Sequence, residues 1–195
     1  IEAYIAGWEV QGRLRQASAP YTDHAYHPPG VVGPLGGAAA AAKALGLDAY
    51  QTSMALGIAA SRTGGLTANT GTMVKASHPG NAARMGAEAA ILAQSGYISN
   101  EEALEAPTGY AQALFGRQLD WEAVTDGLGK SFRLLQPGFD IKRFPAQIYM
   151  QRPIEAVLNL KERHHLVADQ VQTLTIEGPN RSHSGPMPRS GLDAK

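Results

Sequence analysis

Apolar positions over residues 1–127 recur mainly at helical spacing, and that spacing predicts a run of helices. In 1–16, Ile5, Trp8, Val10 and Leu14 fall at roughly helical intervals, with Glu2, Glu9, Arg13 and Arg15 elsewhere on the turn. Gly7 and Gly12 each cost a helix about 1 kcal/mol against Ala, but they let a neighbour approach closely. Pro20 marks a break over 18–23. Residues 26–34 hold three prolines and two glycines and read as a loop. A helix over 35–45 is built on the alanines at 38–42, with Gly46 suited to a left-handed C-terminus. Asp48 is a fitting N-cap for a helix to about residue 62, which Gly64-Gly65 ends. Residues 67–80 read as a second loop, and 81–94 as another alanine-rich helix, stopped by Gly96. Ser99 or Asn100 before Glu101-Glu102 predicts a short helix to 104, followed by helical pieces at 110–115 and 120–127.

The texture changes near Leu128. Phe132, Leu134, Leu135, Phe139, Ile141 and Phe144 surround Pro137-Gly138 and read as short strands about a turn over 128–144. Residues 147–163 return to helical spacing, with Pro153 as an alternative first helical position. Val167, Val171, Leu174 and Ile176 predict a strand over 167–176. The tail from 178 is rich in Gly, Pro and Ser and reads as a loop or a cut end. The fold class is therefore mostly α. Residues 1–128 form part of an all-α helical domain, and 129–195 form the start of a smaller α+β domain. Residues 26–93, two polar loops among small-residue helices, are the centre of the chain.

Composition narrows the function. Lys+Arg and Asp+Glu are equal at 17 each, so no basic face points to nucleic acid and no polybasic segment to a membrane surface. The 195 residues contain no cysteine, which removes disulfides, thiolate zinc, iron–sulfur ligation and a cysteine nucleophile from this chain. A cytoplasmic location fits. The opening Ile1-Glu2-Ala3-Tyr4 shows no signal-peptide pattern, and both ends read as cuts in a longer protein.

Three polar residues stand out between the helices. His27 sits in a Pro/Gly segment before a helix, either as a site residue or as a loop imidazole bonded to backbone. Lys75 and His78 lie near a helix entry, where free amides and the helix dipole favour anions. That setting suits a carboxylate, and a solvated surface lysine is the alternative. Asp23, His24 and His27 are close in sequence, but Pro28 and Pro29 oppose a helix presenting both imidazoles, and no third clustered ligand is evident, so no metal site is expected. His164-His165 reads as solvated. The glycine segments at 33–37 and 64–65 match neither a phosphate loop nor a dinucleotide fingerprint.

Several segments resemble the MmgE/PrpD family. They are His27-Pro28-Pro29-Gly30-Val31-Val32-Gly33 with its alanine block, Leu56-Gly57-Ile58-Ala59-Ala60-Ser61 before Gly64-Gly65, and the run from Gly71-Thr72-Met73-Val74-Lys75 through His78-Pro79-Gly80 to Gly86. Ile141-Lys142-Arg143-Phe144-Pro145 is similar to the family's K-x-[YF]-P element. The resemblance implies an all-α domain and a smaller α+β lid with a cleft between them. It implies a homodimer and a lyase that needs no cofactor and no metal. The expected substrate is a small di- or tricarboxylate, and the first expectation is a hydro-lyase dehydrating 2-methylcitrate in propionate metabolism. Decarboxylation of a cis-aconitate-like acid, epimerisation, or an inactive oligomerising piece are the alternatives.

By the same resemblance, His27 handles protons, and Lys75 and Lys142 act as catalytic cations on carboxylate. His78 and Gln147 are expected to bind substrate. Gln147 stands where decarboxylase-like members carry His, and Gln151 where dehydratase-like members carry one. A further Asp and His are expected upstream of Ile1.

Overall fold

The computed structural model describes residues 1–21 and 25–177. Asp23, His24 and the tail from 178 lie outside the described residues. The helices are α1 (Glu2–Ser18), α2 (Pro28–Leu45), α3 (Ala49–Ala60), α4 (Met73–Gln94), α5 (Tyr110–Phe115), α6 (Trp121–Thr125) and α7 (Gln151–His164). The described residues form two compact units, Ile1–Gly138 and 139–177. No described helix is long and apolar enough to cross a membrane.

In the first unit, α2 packs against α1, α3 and α4. Glycine makes this closeness possible. A Cβ on Gly36 would lie 2.8 Å from the Gly7 carbonyl oxygen of α1, and one on Gly86 of α4 would lie 2.5 Å from the Ala38 nitrogen. Between α2, α3 and α4 the core is mostly alanine around Met54 and Ile58. A second cluster joins Leu14, Val31, Val32 and Leu35 to Tyr110, Ala111 and Leu119. Leu35 and Met54 are among the largest fully buried side chains. Truncating either to Ala would cost about 2–5 kcal/mol.

Local chemistry sets several boundaries as expected. Asp48 accepts from the Gln51 amide at 2.8 Å, and Gln51 Oε1 accepts from the Asp48 amide, closing a capping box. Gly46 ends α2 at φ +69. The helix expected over 120–127 is the shorter α6, Trp121–Thr125, and Asp120 caps it through the Ala123 amide at 3.0 Å.

Two helices begin earlier than the sequence predicts. The expected loop 26–34 is helical from Pro28, because Pro28 and Pro29 occupy first-turn positions whose N–H groups have no helical partner anyway. Pro34 lies inside α2, where it removes the donor that would bond the Gly30 carbonyl. That carbonyl instead accepts from the Gly64 amide at 3.0 Å. The expected loop 67–80 is likewise shorter. Helix α4 starts at Met73 and carries Lys75, His78 and Pro79 within it.

Other expectations give way for stated reasons. The short helix to 104 is a set of turns. The carbonyls of Ala103 and Leu104 accept from the Tyr110 and Ala111 amides, so they are not available to a local helix. The expected strand region 128–144 is turns, bends and irregular chain, and 167–176 is irregular chain with a bend and a short 3-10 helix at Ala168–Gln170. A strand needs a ladder partner, and among the described residues the only bridge is an isolated antiparallel one between Tyr26 and Leu66. Leu135, Phe139, Ile141, Val171, Leu174 and Ile176 are all exposed. Helix α7 starts at Gln151, placing Pro153 in its first turn.

The charges on α1 also depart from expectation. Glu9 and Arg13, read as lying off the apolar face, are 6% and 2% exposed. Arg13 Nε donates to Glu9 Oε2 at 3.0 Å. Its terminal nitrogens donate to the carbonyls of Val124 (3.1 Å), Asp126 (2.6 Å) and Ser131 (2.9 Å). Glu9 Oε1 accepts from the Arg133 amide. The buried pair is tolerable because every guanidinium N–H of Arg13 and both carboxylate oxygens of Glu9 have a partner.

Candidate active site

The His27 segment is laced to the loop that ends α3. Its amide donates to the Gly65 carbonyl at 2.8 Å, and the Thr67 amide donates to the Ala25 carbonyl at 2.9 Å. The Tyr26–Leu66 bridge lies between these bonds. Gly30 faces the same loop so closely that a Cβ there would sit 2.0 Å from the Gly64 oxygen. His27 is the N-cap residue of α2 with extended backbone, and its side chain does not cap the helix. The ring is therefore free to turn toward α4.

There it meets His78. The two Nδ1 atoms are 3.1 Å apart, and the ring centroids are 5.2 Å apart. His78 is buried, whereas His27 is partly exposed. Lys75 lies three residues before His78 on α4 and thus shares its face of the helix. No side chain caps the start of α4, since the Thr72 hydroxyl bonds the Asn69 carbonyl at 2.8 Å instead. First-turn amides and a lysine thus stand together at the end of a 22-residue helix.

The electrostatics follow from this geometry. Burial foremost, then the Lys75 charge and then His78, lower the His27 pKa from 6.5 to about 4. His27 is therefore a neutral imidazole near pH 7. A neutral ring can accept a proton at one nitrogen and donate one at the other. Next to a lysine and uncapped amides, such a group can handle a proton on a bound carboxylate.

The structure thus brings together His27, Lys75 and His78 from the sequence-derived site residues. Lys142 and Gln147 belong to the second unit, where both are exposed. Their loop is tied to α7 by Gln151. The Gln151 amide oxygen accepts from the Phe144 amide at 2.9 Å, and its nitrogen donates to the carbonyls of Phe144 (3.0 Å) and Ala146 (3.1 Å). Arg143 adds a 2.7 Å bond to Glu155. Among the described residues, no group of three His, Asp or Glu side chains could hold a metal ion.

Two supports escaped the sequence reading. Gly65 read only as a helix stop, yet it accepts from the His27 amide and leaves space for the His78 ring. Gly30 read only as a loop glycine, although a proline four residues later is a usable sign of a freed carbonyl.

Comparison with known proteins agrees with the sequence resemblance. Residues 1–122 match the family model of the MmgE/PrpD N-terminal domain. The chain is 36% identical over 203 residues to a cis-aconitate decarboxylase of Homo sapiens, covering 99% of this chain and 41% of that protein. It is 34% identical over 204 residues to the Mus musculus cis-aconitate decarboxylase, with the same coverage. It is 33% identical over 173 residues to that of Aspergillus terreus, covering 84% of this chain and 35% of that protein. The chain spans about two fifths of the length of the first two relatives.

Proposed function

The chain belongs to the MmgE/PrpD family, and we propose that the whole protein is a lyase that decarboxylates a small unsaturated tricarboxylate of the cis-aconitate type. The observation that carries this reading is the grouping of Lys75 with a neutral His27 at the uncapped start of α4. The relatives' names favour loss of carbon dioxide over the dehydration of 2-methylcitrate expected from the sequence.

In this reading, Lys75 and the first amides of α4 hold a carboxylate. Breaking the bond to a departing carboxylate releases carbon dioxide and leaves its electron pair on carbon. Conjugation through the double bond spreads that charge onto a remaining carboxylate. The Lys75 ammonium stabilises it there, which is where preorganised cations contribute most to rate. One proton then adds to carbon, delivered by way of His27 and replaced from water. Positioned proton transfer of this kind is worth about 10²–10⁴-fold. Lys142 is proposed to bind carboxylate as well. Gln147 can bind but cannot titrate, and the Gln151 amide is engaged with backbone, so proton handling falls on His27.

The test is product analysis with the full-length protein. Given cis-aconitate, citrate and 2-methylcitrate separately, it is expected to release carbon dioxide from cis-aconitate alone. Water loss from 2-methylcitrate without carbon dioxide release would replace this reading with dehydration.

A further inference from the structure

The sequence resemblance places His78 among substrate-binding residues, but its surroundings suit another task. His78 is only 7% exposed. It lies behind Gly65, where a Cβ would be 3.0 Å from its Nδ1 and 3.1 Å from its Cγ. Pro79 follows it directly inside α4. The backbone that carries the partner ring is held as well, because the His27 amide bonds the carbonyl of the same Gly65 and Pro28 follows it. The two imidazoles thus meet, Nδ1 to Nδ1, between backbone anchors that converge on one glycine.

A hydrogen bond between two imidazole nitrogens needs one N–H and one lone pair. When both rings are neutral, each carries a single N–H. The state of His27 Nδ1 therefore fixes the opposite state at its Nε2. If His27 donates through Nδ1, its Nε2 is a lone pair suited to pulling a proton from carbon. If His78 donates, His27 presents Nε2–H, suited to hydrogen-bonding a developing enolate and delivering a proton. A neutral imidazole N–H is an established kind of enolate partner. Dehydration by proton abstraction and decarboxylation thus call for opposite arrangements of one hydrogen bond.

We propose that His78 is a positioning residue whose buried Nδ1–H donates to His27 Nδ1, so that His27 faces the substrate as an Nε2–H donor. The direction of the bond rests on the decarboxylation reading, while the existence of a fixed tautomer rests on the geometry alone. The groups bearing on His27 are Lys75 and His78, both from α4. Lys75 opposes a positive charge on His27 and so favours a neutral His27 ring, with one N–H and one lone pair.

The experiment uses the full-length protein labelled with ¹⁵N in histidine. The ring-nitrogen spectrum of His27 is recorded for wild type, His78→Phe and His78→Asn. Wild type is expected to show His27 protonated at Nε2 and bare at Nδ1. His78→Phe keeps the ring volume and removes the donor, so His27 should become a mixture of both tautomers. Its kcat on cis-aconitate should fall about 100-fold, the low end of what positioned proton transfer contributes, with KM within about 3-fold. His78→Asn, which can still donate, should retain most of the wild-type tautomer, and it decides the matter if the Phe variant does not fold. A His27 tautomer ratio unchanged in His78→Phe, or lost in His78→Asn, would overturn the proposal, as would a raised KM at undiminished kcat. A wild-type His27 protonated at Nδ1 would overturn the assigned direction. Absence of turnover in a wild type that shows the expected tautomer would instead sink the lyase reading and leave the positioning role standing.

Discussion

Gly65 has no side chain because His78 stands behind it. A Cβ at Gly65 would lie 3.0 Å from the His78 Nδ1, and the Gly65 backbone sits at φ +101, a conformation other residues adopt only with strain. Gly64, next to it, has nothing within 4 Å of the same position and an unstrained backbone. Gly65→Ala should therefore destabilise the protein by about 1–3 kcal/mol, the usual cost of a residue held in a sparse backbone region. It should also displace His78 and lower turnover. Gly64→Ala should do neither. Thermal unfolding and steady-state assays of the two variants side by side check this.

The pH behaviour follows from His27. Its folded pKa of about 4 lies below the 6.5 of an unperturbed imidazole, from burial first, then the Lys75 charge, then His78. Between those values the unfolded chain takes up a proton that the folded chain refuses. Stability from this residue is therefore fully present above pH 6.5 and is lost as pH falls toward 4. Turnover should show no step near pH 6.5 from His27. Lys75→Met should raise the His27 pKa toward 6.5, which an NMR titration of the ring reads directly.

Gln151 spends its side chain on the loop carrying Lys142. Three of its bonds end on the backbone of Phe144 and Ala146. Gln151→Ala would leave those groups to water or unpaired, at roughly 1–3 kcal/mol for any that stay buried. Amide hydrogen exchange in 142–147 should accelerate, with exchange in α2 and α4 unchanged.

Arg13 is the larger structural dependence. Arg13→Met would strand Glu9 and three carbonyls, and breaking one side of a buried pair costs about 3–5 kcal/mol. Chemical denaturation should show a loss of this size. The double variant Arg13→Met/Glu9→Leu should recover part of it, because no unpaired charge then remains.

What the sequence disclosed was mainly local chemistry. The Asp48 cap, the Gly46 terminus and α5 are written in neighbouring residues, and the structure has them where they were expected. The starts of α2 and α4 were hidden by prolines, which sit in the first turn of α2 and inside both helices; within α2, distant backbone supplies what Pro34 removes. Gly64 does this for the carbonyl facing Pro34. The burial of Glu9 and Arg13 was invisible for a similar reason, since their partners lie as many as 118 and 124 positions away. The family resemblance placed His27, Lys75 and His78 in one site. It did not show that His27 and His78, 51 residues apart, share a hydrogen bond. The expected strands failed because alternation describes a side-chain pattern, while a strand also requires a paired neighbour.

In the proposed reaction, Lys75 and His27 act together on a carboxylate. The most direct test compares kcat/KM for carbon dioxide release from cis-aconitate in full-length wild type and Lys75→Met. The expected result is a fall of about 100-fold or more with unchanged thermal unfolding, the size seen when one preorganised electrostatic group is lost. Undiminished turnover in a folded Lys75→Met protein would contradict it.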